Sequence, residues 1–211
     1  MFKYPRTSHL PWSYGGTDDD KRLESVEHFV GKEVVVTEKM DGECTTMTRE
    51  RCYARSVDSG HHESRSWVKG LHGKVGYLIP DGWRICGENM FAIHSIEYAS
   101  LLSYFFVYSV WDDQNYCLNW DKTVRIVAEL GLVTVPVLWR GIWDEVQVKL
   151  PEEFLKITGI EGIVVRLAES FHYDTFGKSV AKLVRADHVQ TGTHWMQKKV
   201  KQNGLKEGVC V

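Results

Sequence analysis

No run of 18 or more apolar residues occurs in this chain, so the sequence offers no helix able to cross a membrane. The opening residues, Met1-Phe2-Lys3-Tyr4-Pro5-Arg6, lack the apolar core of a secretory signal. Cysteine is sparse and poorly placed for bridging: Cys44, Cys52, Cys86, Cys117 and Cys210 are odd in number, widely spaced and contain no Cys-x-x-Cys. That argues against a disulfide framework or a cysteine zinc site and for reduced thiols in the cytoplasm. Internal repeats, low-complexity tracts and linkers rich in Pro, Gly or Ser are also missing. A single domain over residues 1–211 is expected, large enough to bury its own core.

Neither charge is in excess. Lys and Arg number 26 against 28 Asp and Glu, and a net charge of -2 does not mark a nucleic-acid binder. The distribution says more. Between residues 178 and 206, Lys178, Lys182, Arg185, Lys198, Lys199, Lys201 and Lys206 face a single acid, Asp187. Such a block is either a solvated face or a phosphate-binding surface. On the second reading, the basic segment from about residue 186 holds nucleic acid through its phosphates, with Trp195 available for stacking. His61-His62 has no ligating partners at metal spacing and reads as a loop pair.

Hydrophobic periodicity predicts a helix over 18–29, strands at 33–38, 44–49 and 52–56, and a glycine-weakened helix over 63–78. Further strands are expected at 83–88, 104–111, 132–138, 162–167 and 179–184, with a helix over 121–130 closed by Gly131. Strands interrupted by a few helices, without regular βαβ alternation, indicate an α+β fold with mainly antiparallel sheets and flanking helices.

The run Glu33 to Thr37 reads as a buried strand and Asp41-Gly42 as a turn directly after it. Lys39 is thereby expected at the mouth of a sheet, on a backbone fixed by the strand. Companions follow in order: Gly87-Glu88-Asn89, the aromatic strand Phe105 to Trp111, Glu161-Gly162-Ile163-Val164-Val165-Arg166, and Ala181-Lys182-Leu183-Val184-Arg185. That ordered series, from about Val34 to Arg185, resembles the covalent nucleotidyltransferase superfamily of ligases and capping enzymes. Within it, the likeness is to ATP-dependent RNA ligases of the nick-sealing type. The fold this implies is the ATP-grasp-like adenylylation domain of those ligases.

The resemblance implies roles residue by residue. Lys39 would be the nucleophile that takes AMP from ATP, with Glu38, Asp41 and Gly42 of the same motif at the nucleotide. Glu88 would accept bonds from the ribose hydroxyls; its alternative is an ion pair with Arg84. Tyr108 would stack on adenine; its alternative is a core position on a face shared with Phe106 and Val110. Glu161 would bind Mg²⁺ or Mn²⁺, because carboxylates are hard ligands and phosphoryl transfer needs a cation. Lys182 would contact the α-phosphate in the transition state. Arg55 would hold phosphate near the reacting RNA ends. Attack needs a neutral amine, so cations near Lys39 (Lys182, Arg55 or the metal) are expected to favour that form.

Three positions depart from the family pattern. Ser109 stands where relatives often carry Asp, Val180 takes the first place of a Lys-x-Lys pair, and Cys44 sits where nick-sealing relatives carry an Asn. The implied activity is three-step joining of an RNA 5′-phosphate to a 3′-hydroxyl, as in RNA repair. The residues after Arg185 are too few for the OB-fold that many relatives add, so substrate grip falls to the tail or to a separate subunit. The alternatives are a DNA ligase or capping-type enzyme, and a nucleotide- or RNA-end-binding module with degraded ligase activity.

Overall fold

The structure, a computed structural model, describes residues 1–16, 20–58, 60–186 and 199–209. Two twisted sheets share a core. The first runs in the order Ser8–His9, Val180–Val184, Gly162–Leu167, Glu33–Glu38, Val137–Ile142. The second runs Phe171–His172, Tyr116–Cys117, Phe105–Trp111, Arg84–Asn89, Glu43–Met47, Cys52–Ala54, with Val133–Thr134 also on Phe105–Trp111. Pairing is antiparallel except where Ser8–His9 meets Val180–Val184 and Val133–Thr134 meets Phe105–Trp111. The expected α+β class is the observed one.

The three consecutive valines of Glu33–Glu38 explain why that strand is central. Val34 and Val36 enter the main core with Ile163, Val165, Leu183 and Trp111, while Val35 enters a second cluster with Met40, Met90 and Phe106. A strand buried on both faces needs a continuous apolar run rather than alternation. The outer face of the second sheet is covered by two helices, Ser66–Val75 and Trp120–Glu129, through Val68, Val75 and Val127. The second helix is capped by the Asn119 side chain, which accepts from the Lys122 N–H, and is followed by Gly131 at φ +65°.

Several expected elements differ. Among the described residues of 18–29 there is no helix. Leu23 N–H donates to the His9 carbonyl and His9 N–H to the Lys21 carbonyl, while Arg22 ties the carbonyls of Leu10, Pro11 and Ser13. Those tertiary bonds hold 21–23 against Ser8–His9, and the chain then turns through 27–31. The expected strand 132–138 is two strands in different sheets, because Pro136 has no N–H for a ladder and marks the crossing. The expected helix 63–78 is an α-helix over Ser66–Val75 with a 3₁₀ turn at each end. Two short helices went unexpected, Glu145–Val148 and Glu152–Thr158, although Asp144 caps the first and Gly159 at φ +73° closes the second.

The aromatic strand also differs. Register runs from Cys86 opposite Ser109 to Gly87 opposite Val107, leaving Tyr108 as an extra residue in a β-bulge. The bulge reverses the side-chain alternation after Tyr108. Val110 therefore joins Phe105 and Val107 in the helix-covered core, and Ser109 falls beside Tyr108 on the cavity. Gly87 permits this approach: a Cβ there would lie 2.6 Å from both the Phe105 ring and the Phe106 carbonyl. Gly87→Ala should cost about 1–3 kcal/mol through overpacking against a backbone atom. A urea titration within 0.5 kcal/mol of wild type would show that the bulge tolerates the methyl.

Candidate active site

Lys39 follows the last residue of the Glu33–Glu38 strand, and its N–H donates to the Gly162 carbonyl at 3.0 Å. The pairing of Glu38 with Ile163 sets that register. It therefore places Lys39 beside Glu161, and Lys39 Nζ lies 2.5 Å from Glu161 Oε2. The lysine side chain is 25% exposed and the glutamate 5%. Gly162 lets the strands close up, since a Cβ there would sit 2.0 Å from the Leu183 carbonyl.

Lys39 opens on a cavity of about 380 Å³, within the range of small-molecule sites. Glu38, Cys44, Arg55, Glu88, Tyr108 and Lys182 also line it, from both sheets. Glu88 does not pair with Arg84, whose guanidinium bonds Asn115 and lies over Phe2 and Trp111. Burial pushes the Glu88 carboxyl up to about 8, with Lys39 opposing that rise and Glu161 and Asp41 adding to it. Tyr108 O–H donates to Cys44 Sγ at 3.0 Å, so the departure at Cys44 is itself part of the wall. Tyr108 lines the cavity as well as packing against the core.

The electrostatics of Lys39 overturn one expectation. Burial works against its ammonium, but Glu161, Glu88 and Asp41 outweigh it and raise the pKa above the usual lysine value. Glu161, the largest of these three influences, pairs with the amine directly, so the cations do not prevail. Lys182 behaves oppositely. Burial lowers it and Lys39 lowers it further, against the opposing pull of Asp20.

Among the described residues no group of three or more metal-ligating side chains gathers. A magnesium-type ion commonly takes one or two carboxylates, with phosphate oxygens and water completing its shell. Glu161, paired with Lys39 where that lysine opens on the cavity, fits a cation that enters with a polyphosphate.

Asp41 and Gly42 serve the wall from behind. Asp41 Oδ2 accepts from the N–H groups of Ser95 and Ile96 at 2.7 and 2.8 Å, and Asp41 N–H donates to Tyr98 O–H. A Cβ at Gly42 would meet the Asn89 carbonyl at 2.6 Å. The sequence did not single out Tyr4, Arg6, Thr7, Asp20 and Arg166, which also line the cavity. Arg166, a charge inside an apolar strand, had a readable signal. It is buried and donates to the carbonyls of Tyr108, Leu118 and Leu167, fixing the bulge that presents Tyr108.

Nor is the end of the basic segment a loose tail. Lys198, Trp195 and Asp187 lie outside the described residues, as do His188, His194 and Met196. Residues 199–209 run along 91–101, with buried Asn203 at their centre. Asn203 Oδ1 accepts from Tyr98 N–H at 2.8 Å, and Nδ2 donates to the Met90 carbonyl at 2.8 Å. A continuous chain of bonds thus joins Asn203 through Tyr98 to Asp41, two residues from Lys39. Asn203→Ala should destabilise by about 1–3 kcal/mol for each buried group left unpaired. Hydrogen exchange should quicken at Ser95 and Ile96; unchanged protection at those amides would break the link to Asp41.

Comparisons with known proteins agree with this geometry. The family model of the RNA ligases matches residues 32–184. An archaeal ATP-dependent RNA ligase superposes with a TM-score of 0.60 at 15% identity, over 88% of this chain and 48% of that one. A protein from Aquifex aeolicus assigned as an ATP-dependent DNA ligase gives 0.56 at 17%, over 88% and 50%. A Naegleria gruberi RNA ligase mutant with ATP and Mn gives 0.52 at 15%, over 86% and 60%. At such identities the likeness is one of fold, and the chain spans about half the length of the first two of these proteins. No curated protein matches the sequence.

Proposed function

The chain belongs to the RNA ligase family, and from that premise we propose that it is an ATP-dependent RNA ligase acting through a lysyl-AMP intermediate. The observation that carries this reading is Lys39 Nζ, held by Glu161 at the mouth of a nucleotide-sized cavity that Lys182 lines from the neighbouring strand. Relatives of known structure with ATP and Mn support the choice of nucleotide and metal.

In the first step Lys39 Nζ forms a bond to the α-phosphorus of ATP while the bond to the bridging oxygen breaks, and pyrophosphate leaves. Lys39 starts as an ammonium and must first lose a proton, for which Glu161 Oε2 is the acceptor within reach. Lys182 stabilises charge that develops on the α-phosphate. Glu161 would hold Mg²⁺ or Mn²⁺, which supplies positive charge against the polyphosphate. Tyr108 offers its ring to adenine and Glu88 its carboxyl to the ribose. AMP then passes to an RNA 5′-phosphate, and attack by a 3′-hydroxyl on that phosphate forms the new phosphodiester and releases AMP. Arg55 lies on the same wall, suited to a phosphate of the RNA end. The cytoplasm as site of action, and a separate subunit to grip the RNA, belong to the same proposal.

Incubation with α-labelled ATP and Mg²⁺, followed by a denaturing gel, should give a labelled band. A protein that binds ATP without labelling would instead be a nucleotide-binding module. Parallel assays on nicked RNA and nicked DNA separate the RNA ligase from the DNA ligase reading.

Lys39→Ala should abolish labelling and also lower stability, because it takes the Lys39 charge away from buried Glu161. Loss of one member of a buried pair costs about 3–5 kcal/mol, and less here because Lys39 is partly exposed. Adding Glu161→Gln to Lys39→Ala should recover stability but not labelling. Labelling in either variant would sink the assignment of the nucleophile.

The raised Glu88 carboxyl is protonated below about pH 8, so near neutrality it can donate as well as accept a bond. Glu88→Gln keeps that capacity and should bind ATP about as tightly as wild type at pH 7, without the wild-type change near pH 8. Glu88→Ala should weaken binding by about tenfold, the worth of one hydrogen bond. Equal affinities for Gln and Ala variants, measured by equilibrium titration, would remove Glu88 from the ribose.

A further inference from the structure

Asp20 is the last acid of Asp18-Asp19-Asp20, and the reaction above gives it nothing to do. Its position is nevertheless specified closely. Ser8–His9 pairs in parallel with Val180–Val184, with His9 directly opposite Lys182, and Leu10 N–H donates to the Lys182 carbonyl at 2.7 Å. On its other edge His9 bridges to Arg22 through the bonds to Lys21 and Leu23. The strand pair that carries Lys182 is thus extended by the segment that carries Asp20.

The side chains follow from that backbone. Asp20 Oδ1 lies 3.5 Å from Lys182 Nζ, and Oδ2 lies 3.5 Å from His9 Nε2. His9 is 1% exposed, and its Nδ1 meets Ser13 Oγ at 2.8 Å. Val184 N–H donates to that same hydroxyl at 3.0 Å, and the carbonyls of Gly15 and Val184 lie farther from it, at 3.5 Å, than Nδ1 does, so the Ser13 hydrogen is best placed on Nδ1. A neutral ring then carries its proton on Nε2, facing the carboxylate. Burial, with Lys182 adding to it, holds His9 down at about 4, so the ring stays neutral across the working range. One side of Asp20 therefore faces a rigid, uncharged ring whose buried Nε2 makes no hydrogen bond among the described residues, and the other reaches Lys182 at the cavity wall.

We propose that Asp20 is the positioning residue of Lys182, aiming its ammonium into the cavity until phosphate oxygens take over as its counter-charge. The inference rests on the cavity being the nucleotide site. Without this carboxylate Lys182 would lose the largest favourable charge beside it and would face Lys39 and neutral His9, with Glu161 a smaller influence; Arg22 stands beyond His9 and is bound to carbonyls. A half-buried lysine so placed loses its proton more readily and has nothing to hold its direction.

The test follows Lys182 itself. In nucleotide-free protein with ¹³C-labelled lysine, the titration midpoint of Lys182 should fall by about one unit or more in Asp20→Asn, and Asp20→Glu should restore most of it. The alkaline limb of AMP transfer to Lys39 should move down by the same amount, with the KM for ATP rising more than kcat falls. A midpoint that is unchanged in Asp20→Asn overturns the proposal. So does a shifted midpoint with an unshifted limb, which would leave Asp20 a purely structural partner. If wild type never labels while the Lys182 midpoint still shifts, the pairing stands and the ligase reading fails, so the two can be told apart.

Discussion

The register between Glu33–Glu38 and Gly162–Leu167 is the constraint on which the site depends. Lys39 and Glu161 are 122 positions apart in sequence, yet each lies just outside one of two directly paired strands. A slip of one residue would turn Lys39 to the opposite face and separate it from Glu161. The valines of Val34-Val35-Val36 prevent that slip, because they are buried on both faces and any shift would move apolar side chains out of fitted positions. Gly162 tightens the same lock, since the backbone of Leu183 lies where its side chain would be. Catalytic placement and core packing are here the same requirement.

That register brings a cost that the chemistry can use. Desolvating a lysine and a glutamate together is unfavourable unless they pair closely. Their pairing stores the amine in its unreactive, protonated form. With Glu161 held directly against Lys39 Nζ, the site therefore favours the charged amine. An incoming nucleotide changes the charge balance at the site. Lys182 stands in the opposite sense, its charge disfavoured by burial and by Lys39 and favoured by Asp20. The two lysines differ in environment by design of the strands that carry them, not by their own chemistry.

Much of this was legible in the sequence, and the reasons are specific. Apolar runs and turn dipeptides located the strands around Lys39, Glu88, Glu161 and Lys182, because strand ends next to Gly are marked by local chemistry. The α+β class followed from the same runs. Elements governed by distant contacts were not legible. The stretch 20–29 has a helical stripe, but Arg22 bonds to the carbonyls of Leu10 and Ser13 and no helix forms. The bulge at Tyr108 reflects a mismatch between two strands, which neither strand shows alone. Asp41 looked like a nucleotide ligand from its motif, yet its carboxylate is occupied by the backbone of Ser95 and Ile96. Nothing near Asn203 in sequence hints at Tyr98.

The parts that escaped the sequence share a physical character: each is a polar group that satisfies backbone far away. Arg166 holds the carbonyl of Tyr108, and Asn203 holds the loop that holds Asp41. Neither of them needs to touch a substrate to matter. A wall built of short strands and loops leaves many carbonyls and N–H groups without ladder partners, and buried ones are costly unless bonded. Long polar side chains meet that need, and in doing so they fix the aromatic and acidic residues that line the cavity. The reactive residues are few and recognisable because a motif keeps them adjacent to a strand end. Their support is spread across both ends of the described chain, from Tyr4 to Asn203, and only the folded structure brings it together.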